Sequence, residues 1–147
     1  MTNETESYDV LKLKNQVCFP LYACSKELVR QYGPYLKELN LTYTQYLVMM
    51  VLWERKQVNV KELGECLFLD SGTLTPVLKK LEEKGLVTRE RSAEDERNLV
   101  VTLTGEGAAL KTRALDIPAR MGACVRLTPE EAGQLYRLLY KLLGEME

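Results

Sequence analysis

Apolar residues between Leu11 and Tyr32 recur at intervals of three and four, the spacing of one helix face. Gly33-Pro34 reads as the stop of that helix, since glycine suits a C-terminal cap and proline the first turn of the next element. Pro20 falls inside the span, so either the helix bends there or its regular part begins near Val17 with Pro20 in the first turn. A short helical turn is predicted over 34–39. Thr42 and Gln45 match a capping box that opens the run from Tyr46 to Trp53, which is apolar nearly all round and therefore central. The segment 58–60 is long enough for a single edge strand, and 61–68 reads as a helix with Leu63 and Leu67 one turn apart.

The polar break Asp70-Ser71-Gly72 supplies a cap, Asp70 or Ser71, for a helix whose apolar stripe is Leu74, Val77, Leu78 and Leu81 and whose end is Gly85. The helices flanking Asp70 form a helix-turn-helix. Beyond Gly85 the period drops from about 3.6 to about 2, and 86–91 and 98–103 read as strands joined by the charged loop 92–97. A long hairpin directly after a helix-turn-helix is a winged helix. Thr104 caps a helix carrying Ala108, Ala109, Leu110 and Leu115, which Pro118 interrupts. Thr128-Pro129-Glu130-Glu131 then combines a cap, an N1 proline and a capping-box glutamate ahead of a last helix along Leu135, Leu138, Leu139, Leu142 and Leu143. The expected fold is mainly α with a small β-wing. It is one domain over 1–147, with a winged helix-turn-helix lobe over about 42–104. The helices of 10–40 and 105–147 carry more apolar surface than a monomer of this shape covers, so dimerisation through them is expected.

The length of 147 residues, with 46% hydrophobic and 28% charged residues, fits one globular domain. A formal net charge of −1 means that any nucleic acid must be held by local placement and not by bulk charge. Histidine is absent, which removes Ser-His-Asp, Cys-His and His-ligated zinc chemistry. The cysteines at 18, 24, 66 and 124 contain no C-x-x-C pair, so neither a structural metal nor a cofactor is expected. The acidic start lacks a signal-peptide pattern and no apolar run approaches about 18 residues. A cytoplasmic protein with reduced thiols and no membrane partner is the expectation.

Two groups of residues carry candidate chemistry. Opposite the stripe of the 74–81 helix lie Ser71, Thr73, Thr75, Lys79 and Lys80, of which the three hydroxyl residues stand at the helix N-terminus, where hydroxyls and backbone N–H groups suit phosphate and base edges. Arg89 and Arg91 share a strand face. Arg97, near the loop tip, has Asp95 two residues away, and an arginine held by an aspartate can enter an adjacent minor groove. Acidic neighbours balance these charges, so the same residues also read as a solvated surface. On the first helix, Cys18, Tyr22, Ser25, Val29 and Tyr32 share a face, with Cys24 turned about 120° from Cys18. Tyrosine hydroxyls can donate to a thiolate and to a peroxide oxyanion, and a helix start favours a thiolate. That set suits a peroxide-reactive thiol, and it equally suits a cysteine serving as a small core hydrophobe. Cys66 reads as core or dimer filler. Cys124 lies in a segment read as flexible, from which a second thiol can reach another chain and convert a sulfenic acid into a disulfide, or it too is filler.

The strings Leu69-Asp70-Ser71-Gly72-Thr73-Leu74-Thr75-Pro76, Leu81-Glu82-Glu83-Lys84-Gly85-Leu86-Val87 and Asp95-Glu96-Arg97 closely resemble the MarR family of winged-helix regulators. Asn15-Gln16-Val17-Cys18-Phe19, Leu21-Tyr22 and Leu41-Thr42-Tyr43-Thr44-Gln45-Tyr46-Leu47 narrow the resemblance to OhrR-like organic hydroperoxide sensors, from about Leu11 to the C-terminus. The resemblance implies that Cys18 is the sensing thiol and that Tyr22, Tyr32 and Tyr43 hydrogen-bond it, some from the partner subunit. It places Arg97 in the minor groove beside Asp95. It implies a homodimeric repressor, not an enzyme, that leaves a palindromic duplex operator when an organic hydroperoxide oxidises Cys18. In the two-cysteine subclass Cys124 falls within about a residue of the resolving position, implying an intersubunit Cys18–Cys124 disulfide. It also implies that Pro76 is tolerated near the recognition-helix start. Pro20 and the additional thiol of Cys24 depart from the pattern. Two alternatives keep the same residues in view: a repressor released by a non-covalent ligand beside Phe19, Met49 and Trp53, and a thiol peroxidase.

Overall fold

The computed structural model describes residues 8–94 and 98–144. The chain divides into two compact units, one up to Leu115 and one from Asp116. In the first, the 3₁₀ turns Asp9–Leu11 and Leu13–Asn15 precede α1 (Cys18–Glu38), α2 (Tyr43–Arg55), β1 (Gln57–Asn59), α3 (Val60–Leu67), α4 (Ser71–Glu83), β2 (Val87–Arg91), β3 (Leu99–Leu103) and α5 (Gly105–Ala114). The second holds α6 (Ile117–Cys124) and α7 (Pro129–Leu143).

α1 begins at Cys18, so Pro20 sits in its first turn, where the N–H that proline lacks would have no helical acceptor. The predicted stop at Gly33-Pro34 does not occur; the helix runs through both residues to Glu38. A proline inside a helix costs about 3 kcal/mol. Continuing the helix buries Leu36 and Leu39, each worth roughly 1.5–3 kcal/mol, which offsets that cost. The helix ends instead at Asn40, whose φ of 55° is left-handed. The Asn40 N–H reaches the Lys37 carbonyl and the Leu41 N–H the Leu36 carbonyl, a Schellman closure that folds buried Leu41 back over buried Leu36.

The capping box of Thr42 and Gln45 opens α2, which buries Tyr46, Val48, Met49 and Leu52 as the central helix. Asn59 caps α3 and, of the two candidates, Asp70 caps α4. Leu63 of α3 and Leu74, Leu78 and Leu81 of α4 are fully buried. Gly64 lets these helices meet in a tight turn, because a Cβ there would stand 2.6 Å from the Leu69 carbonyl oxygen. Gly85, at φ +78°, turns the chain from α4 into β2. The sheet has the order β1-β3-β2, all antiparallel, with Val87 opposite Leu103 and Arg91 opposite Leu99, and β1 as the expected edge. Thr104 caps α5, whose Leu110 and Ala114 are buried, so the core of this unit draws on residues either side of 42–104.

In the second unit Pro118 interrupts the chain by starting α6, at a position where its missing N–H is harmless. The segment around Cys124, expected to be flexible, is therefore helical. Thr128 and Glu131 form the predicted capping box of α7.

Two of the helical glycines, Gly33 and Gly64, give a test. Gly33→Ala meets no atom within 4 Å and should raise unfolding free energy by about 0.5–1 kcal/mol. Gly64→Ala must force the Leu69 carbonyl aside and should lower it by roughly 1–3 kcal/mol. Urea titrations of both variants check this, and equal effects would contradict the tight-turn account.

Candidate functional site

Cys18 is the first residue of α1, with its thiol exposed and no side-chain cap from Val17 over that turn. One turn further Tyr22 is 61% exposed, and the Lys26 ammonium stands 5.3 Å from its ring centroid. Tyr32 lies on the same helix but fourteen residues on, about 21 Å along the axis at 1.5 Å per residue. The shared face predicted from spacing therefore exists, but within one chain it joins only Cys18 and Tyr22.

Tyr32 instead belongs to an aromatic cluster. Its ring centroid is 4.9 Å from that of Tyr43 and 5.8 Å from that of Tyr46, and Tyr43 and Tyr46 are 6.4 Å apart. Tyr46 meets Trp53 edge-on at 6.3 Å, and the Trp53 indole N–H donates to the Gly107 carbonyl at 2.9 Å. Burial pushes the Tyr32, Tyr43 and Tyr46 hydroxyls above the ordinary phenol value of 10.0, and the Tyr32 charge adds to the rise at the other two. All three remain neutral hydrogen-bond donors at neutral pH. Tyr46, which sequence reasoning counted only as core, completes the cluster; its spacing of three from Tyr43 on a predicted helix was the available signal.

Between the two tyrosines Gln45 is only 3% exposed. Its Oε1 accepts from the Thr42 N–H at 3.0 Å and from Lys84 Nζ at 2.9 Å, and Lys84 also donates to the Asn40 carbonyl. Burial pushes the Lys84 ammonium below its usual range, with nearby Lys80 acting the same way.

α4 presents the outward residues predicted for it. Ser71, Thr73, Thr75, Lys79 and Lys80 are exposed. Asp70 Oδ1 accepts from the Thr73 N–H at 2.7 Å, a bond that holds its carboxyl below the usual range. The Thr75 hydroxyl donates to the Ser71 carbonyl at 2.7 Å. Arg89 has a specific partner: its backbone N–H donates to Glu82 Oε2 at 2.9 Å and its guanidinium lies 3.2 Å from Glu82 Oε1. That pair docks β2 on α4 and leaves the Arg89 side chain 21% exposed. Arg91 is exposed at the far end of β2. Asp95 and Arg97 lie outside the described residues.

The remaining thiols are all exposed. Cys124 ends α6, with Sγ 3.5 Å from the Arg120 carbonyl oxygen. The core reading of Cys66 is corrected: α3 is short and buries only Leu63 fully, leaving Cys66 outside. Of the residues proposed to line a ligand pocket, Met49 is fully buried, Trp53 is tied to Gly107 and Phe19 is exposed. Among the described residues no group of His, Cys, Asp or Glu could hold a metal, and no helix is long and apolar enough to cross a membrane.

A family model described as transcriptional regulator SarA/Rot matches residues 30–113. The chain is 51% identical over 136 residues to the organic hydroperoxide resistance transcriptional regulator of Bacillus subtilis (strain 168), with 92% of each chain covered. It is 46% identical over 133 residues to the HTH-type transcriptional regulator SarZ of Staphylococcus aureus (strain USA300), with 90% of each covered. Among solved structures it is similar to overoxidized AbfR bound to DNA, at a TM-score of 0.78 and 35% identity over 94% of this chain and 97% of that one. AbfR, of Staphylococcus epidermidis, is also known reduced and bound to DNA, and in a disulfide-formed state similar to this chain at a TM-score of 0.66.

The tyrosine cluster makes stability depend on alkaline pH. Because folding raises these phenol values, the folded state holds protons that the unfolded chain releases. The resulting stability is intact below pH 10 and is lost as pH rises through the folded values. Urea titrations from pH 9 to 11 should show that loss, and Tyr32→Phe with Tyr43→Phe should flatten it. An unchanged alkaline slope in the double variant would contradict the cluster's role.

Proposed function

The chain belongs to the SarA/Rot and MarR-type winged-helix regulators, in the OhrR-like organic hydroperoxide group, and from that premise we propose that it is a homodimeric, redox-sensing transcriptional repressor. It binds a palindromic duplex operator while Cys18 is reduced and releases it when an organic hydroperoxide oxidises Cys18. The observation that carries this reading is the split of the site: an exposed thiol at one end of α1 and a protonated tyrosine cluster about 21 Å away at the other. A second copy lying antiparallel brings Tyr32 and Tyr43 of the partner subunit to Cys18, while Tyr22 serves its own chain. Apolar surface is available for that pairing, since Val17 is 83% exposed and Leu142 of α7 is 74% exposed.

In the redox step the Cys18 thiolate attacks one peroxide oxygen. An S–O bond forms as the O–O bond breaks, the hydroperoxide is reduced to an alcohol that takes up a proton, and the sulfur is oxidised to a sulfenic acid. Tyrosine hydroxyls donate to the developing oxyanion. The thiol of Cys124 of the partner subunit then attacks this sulfur, forming a disulfide and expelling water. Cys24 is a poor resolver of Cys18 in the same chain. Six residues along an intact helix separate the Cα atoms by about 10 Å, beyond the reach of about 7 Å for a disulfide. Each thiol reacts once and waits for external reduction, which describes a sensor in a reducing cytoplasm and not a turnover enzyme.

On DNA, two copies of α4 enter major grooves about 34 Å apart. Ser71, Thr73 and Thr75 face phosphates and base edges from the helix start, with Lys79 and Lys80 on the backbone. Arg91 ends β2 at the wing, and the family resemblance assigns Arg97, with Asp95, to the minor groove. Arg89 acts through Glu82 by fixing the wing to the recognition helix.

Gel shifts on the protein's own upstream DNA test the reading. Wild type and Cys18→Ser should both bind when reduced, and only wild type should release on adding an organic hydroperoxide. Release of Cys18→Ser by peroxide would remove Cys18 as the sensor. On non-reducing gels, stoichiometric peroxide should cross-link wild type into dimers and leave Cys18→Ser and Cys124→Ser as monomers. A cross-link that persists in Cys124→Ser would assign the resolving role to another cysteine.

A further inference from the structure

Lys84 follows directly on the recognition helix as its C-cap, and its backbone N–H closes on the Lys80 carbonyl. Its side chain leaves the winged lobe's helix-turn-helix and reaches back in sequence to the elbow between α1 and α2. There the ammonium donates to the Asn40 carbonyl and, at 2.9 Å, to Gln45 Oε1. Both acceptors are neutral, so the contact fixes direction without neutralising the charge.

Each acceptor is itself held rigidly. Asn40 is the left-handed residue that ends α1. Gln45 is the buried third residue of the α2 capping box, and its Oε1 is shared with the Thr42 N–H. Tyr43 and Tyr46, whose rings pack tilted against Tyr32 of α1, lie two residues before it and one after it. A displacement of the elbow between α1 and α2 therefore moves both anchors of Lys84 at once.

The geometry points to Lys84 as the positioning residue that couples the rearrangement of the tyrosine cluster on Cys18 oxidation to the setting of the recognition helix. Lys84 touches neither the sulfur nor, in this role, the DNA. With the thiol reduced it holds the C-terminal end of α4 on the elbow; when oxidation rearranges Tyr32 and Tyr43, the elbow carries that end with it. Burial of the ammonium, which lowers its pKa, fits a charge placed here for position. This inference rests on the redox reading above and adds the contact through which oxidation reaches the DNA-binding helix.

The test is the ratio of operator Kd for the hydroperoxide-oxidised dimer to that for the reduced dimer, with oxidation of Cys18 verified by intact mass in every sample. Lys84→Met keeps the aliphatic stem and removes the donors, Lys84→Gln leaves a shorter neutral donor, and Lys84→Arg keeps charge and donors. Reduced Lys84→Met and Lys84→Gln should bind within about threefold of wild type with the same salt slope, while their oxidised-to-reduced ratio falls about tenfold or more toward unity. Lys84→Arg should restore most of the ratio. A ratio equal to wild type in either Lys84→Met or Lys84→Gln would overturn the proposal. So would weaker reduced binding with a shallower salt slope, which would make Lys84 a phosphate contact. A wild-type ratio of one would instead overturn the redox reading itself, so the two failures are distinguishable.

Discussion

One uninterrupted helix, α1, fixes the distance on which the rest depends. Cys18 at its first turn and Tyr32 near its last stand about 21 Å apart, and no side-chain rotation closes that gap. The helix could have ended at Gly33-Pro34, which would have freed the tyrosine end. It does not end there because Leu36, Leu39 and Leu41 are anchored in the core and Asn40 makes the left-handed exit. In the proposed site, a rigid rod with the thiol at one end and donors at the other is incomplete alone and self-complementary in pairs, which is the geometry of an isologous dimer.

The far end of that rod is also where the DNA-binding elements attach. Tyr32 packs at a tilt against Tyr43 and Tyr46, the Gln45 between them in sequence accepts from Lys84, and Lys84 terminates the recognition helix. On the other side of the same helix Glu82 holds Arg89 and with it β2. The recognition helix is thus gripped at its C-terminal end by the tyrosine elbow and by the wing strand. Its N-terminal hydroxyls and lysines stay outside because Leu74, Leu78 and Leu81 take up its inner face. Charge enters as placement: a chain of net charge −1 can hold a polyanion only where such faces concentrate donors.

What was legible in the sequence was local. The boxes at Thr42 with Gln45 and Thr128 with Glu131, the Asp70 cap, the stripe of the recognition helix and the change of period after Gly85 are all set by neighbours within one or two turns, and each is realised. The Gly33-Pro34 stop failed because burial of residues beyond it outweighed a local breaker. The flexible reading around Cys124 failed because Pro118, a breaker in mid-helix, is a starter at a first turn. The candidate site was legible at Cys18 and Tyr22, which one helix face aligns. Tyr43 entered through family resemblance, since no spacing connects it to Cys18. Tyr46, Glu82 and Lys84 acquire their roles only when α1, α2, α4 and β2 are packed, over separations in sequence that periodicity does not report.

The central claim is that the thiol of one chain works with the tyrosines of the other. The most direct measurement is the second-order rate of Cys18 oxidation by an organic hydroperoxide in a mixed dimer of one Cys18→Ser chain and one chain carrying Tyr32→Phe and Tyr43→Phe. If the tyrosines act across the interface, the remaining Cys18 faces an intact set on the Cys18→Ser chain and reacts at the wild-type rate. A rate as slow as that of the Tyr32→Phe, Tyr43→Phe homodimer would contradict the account.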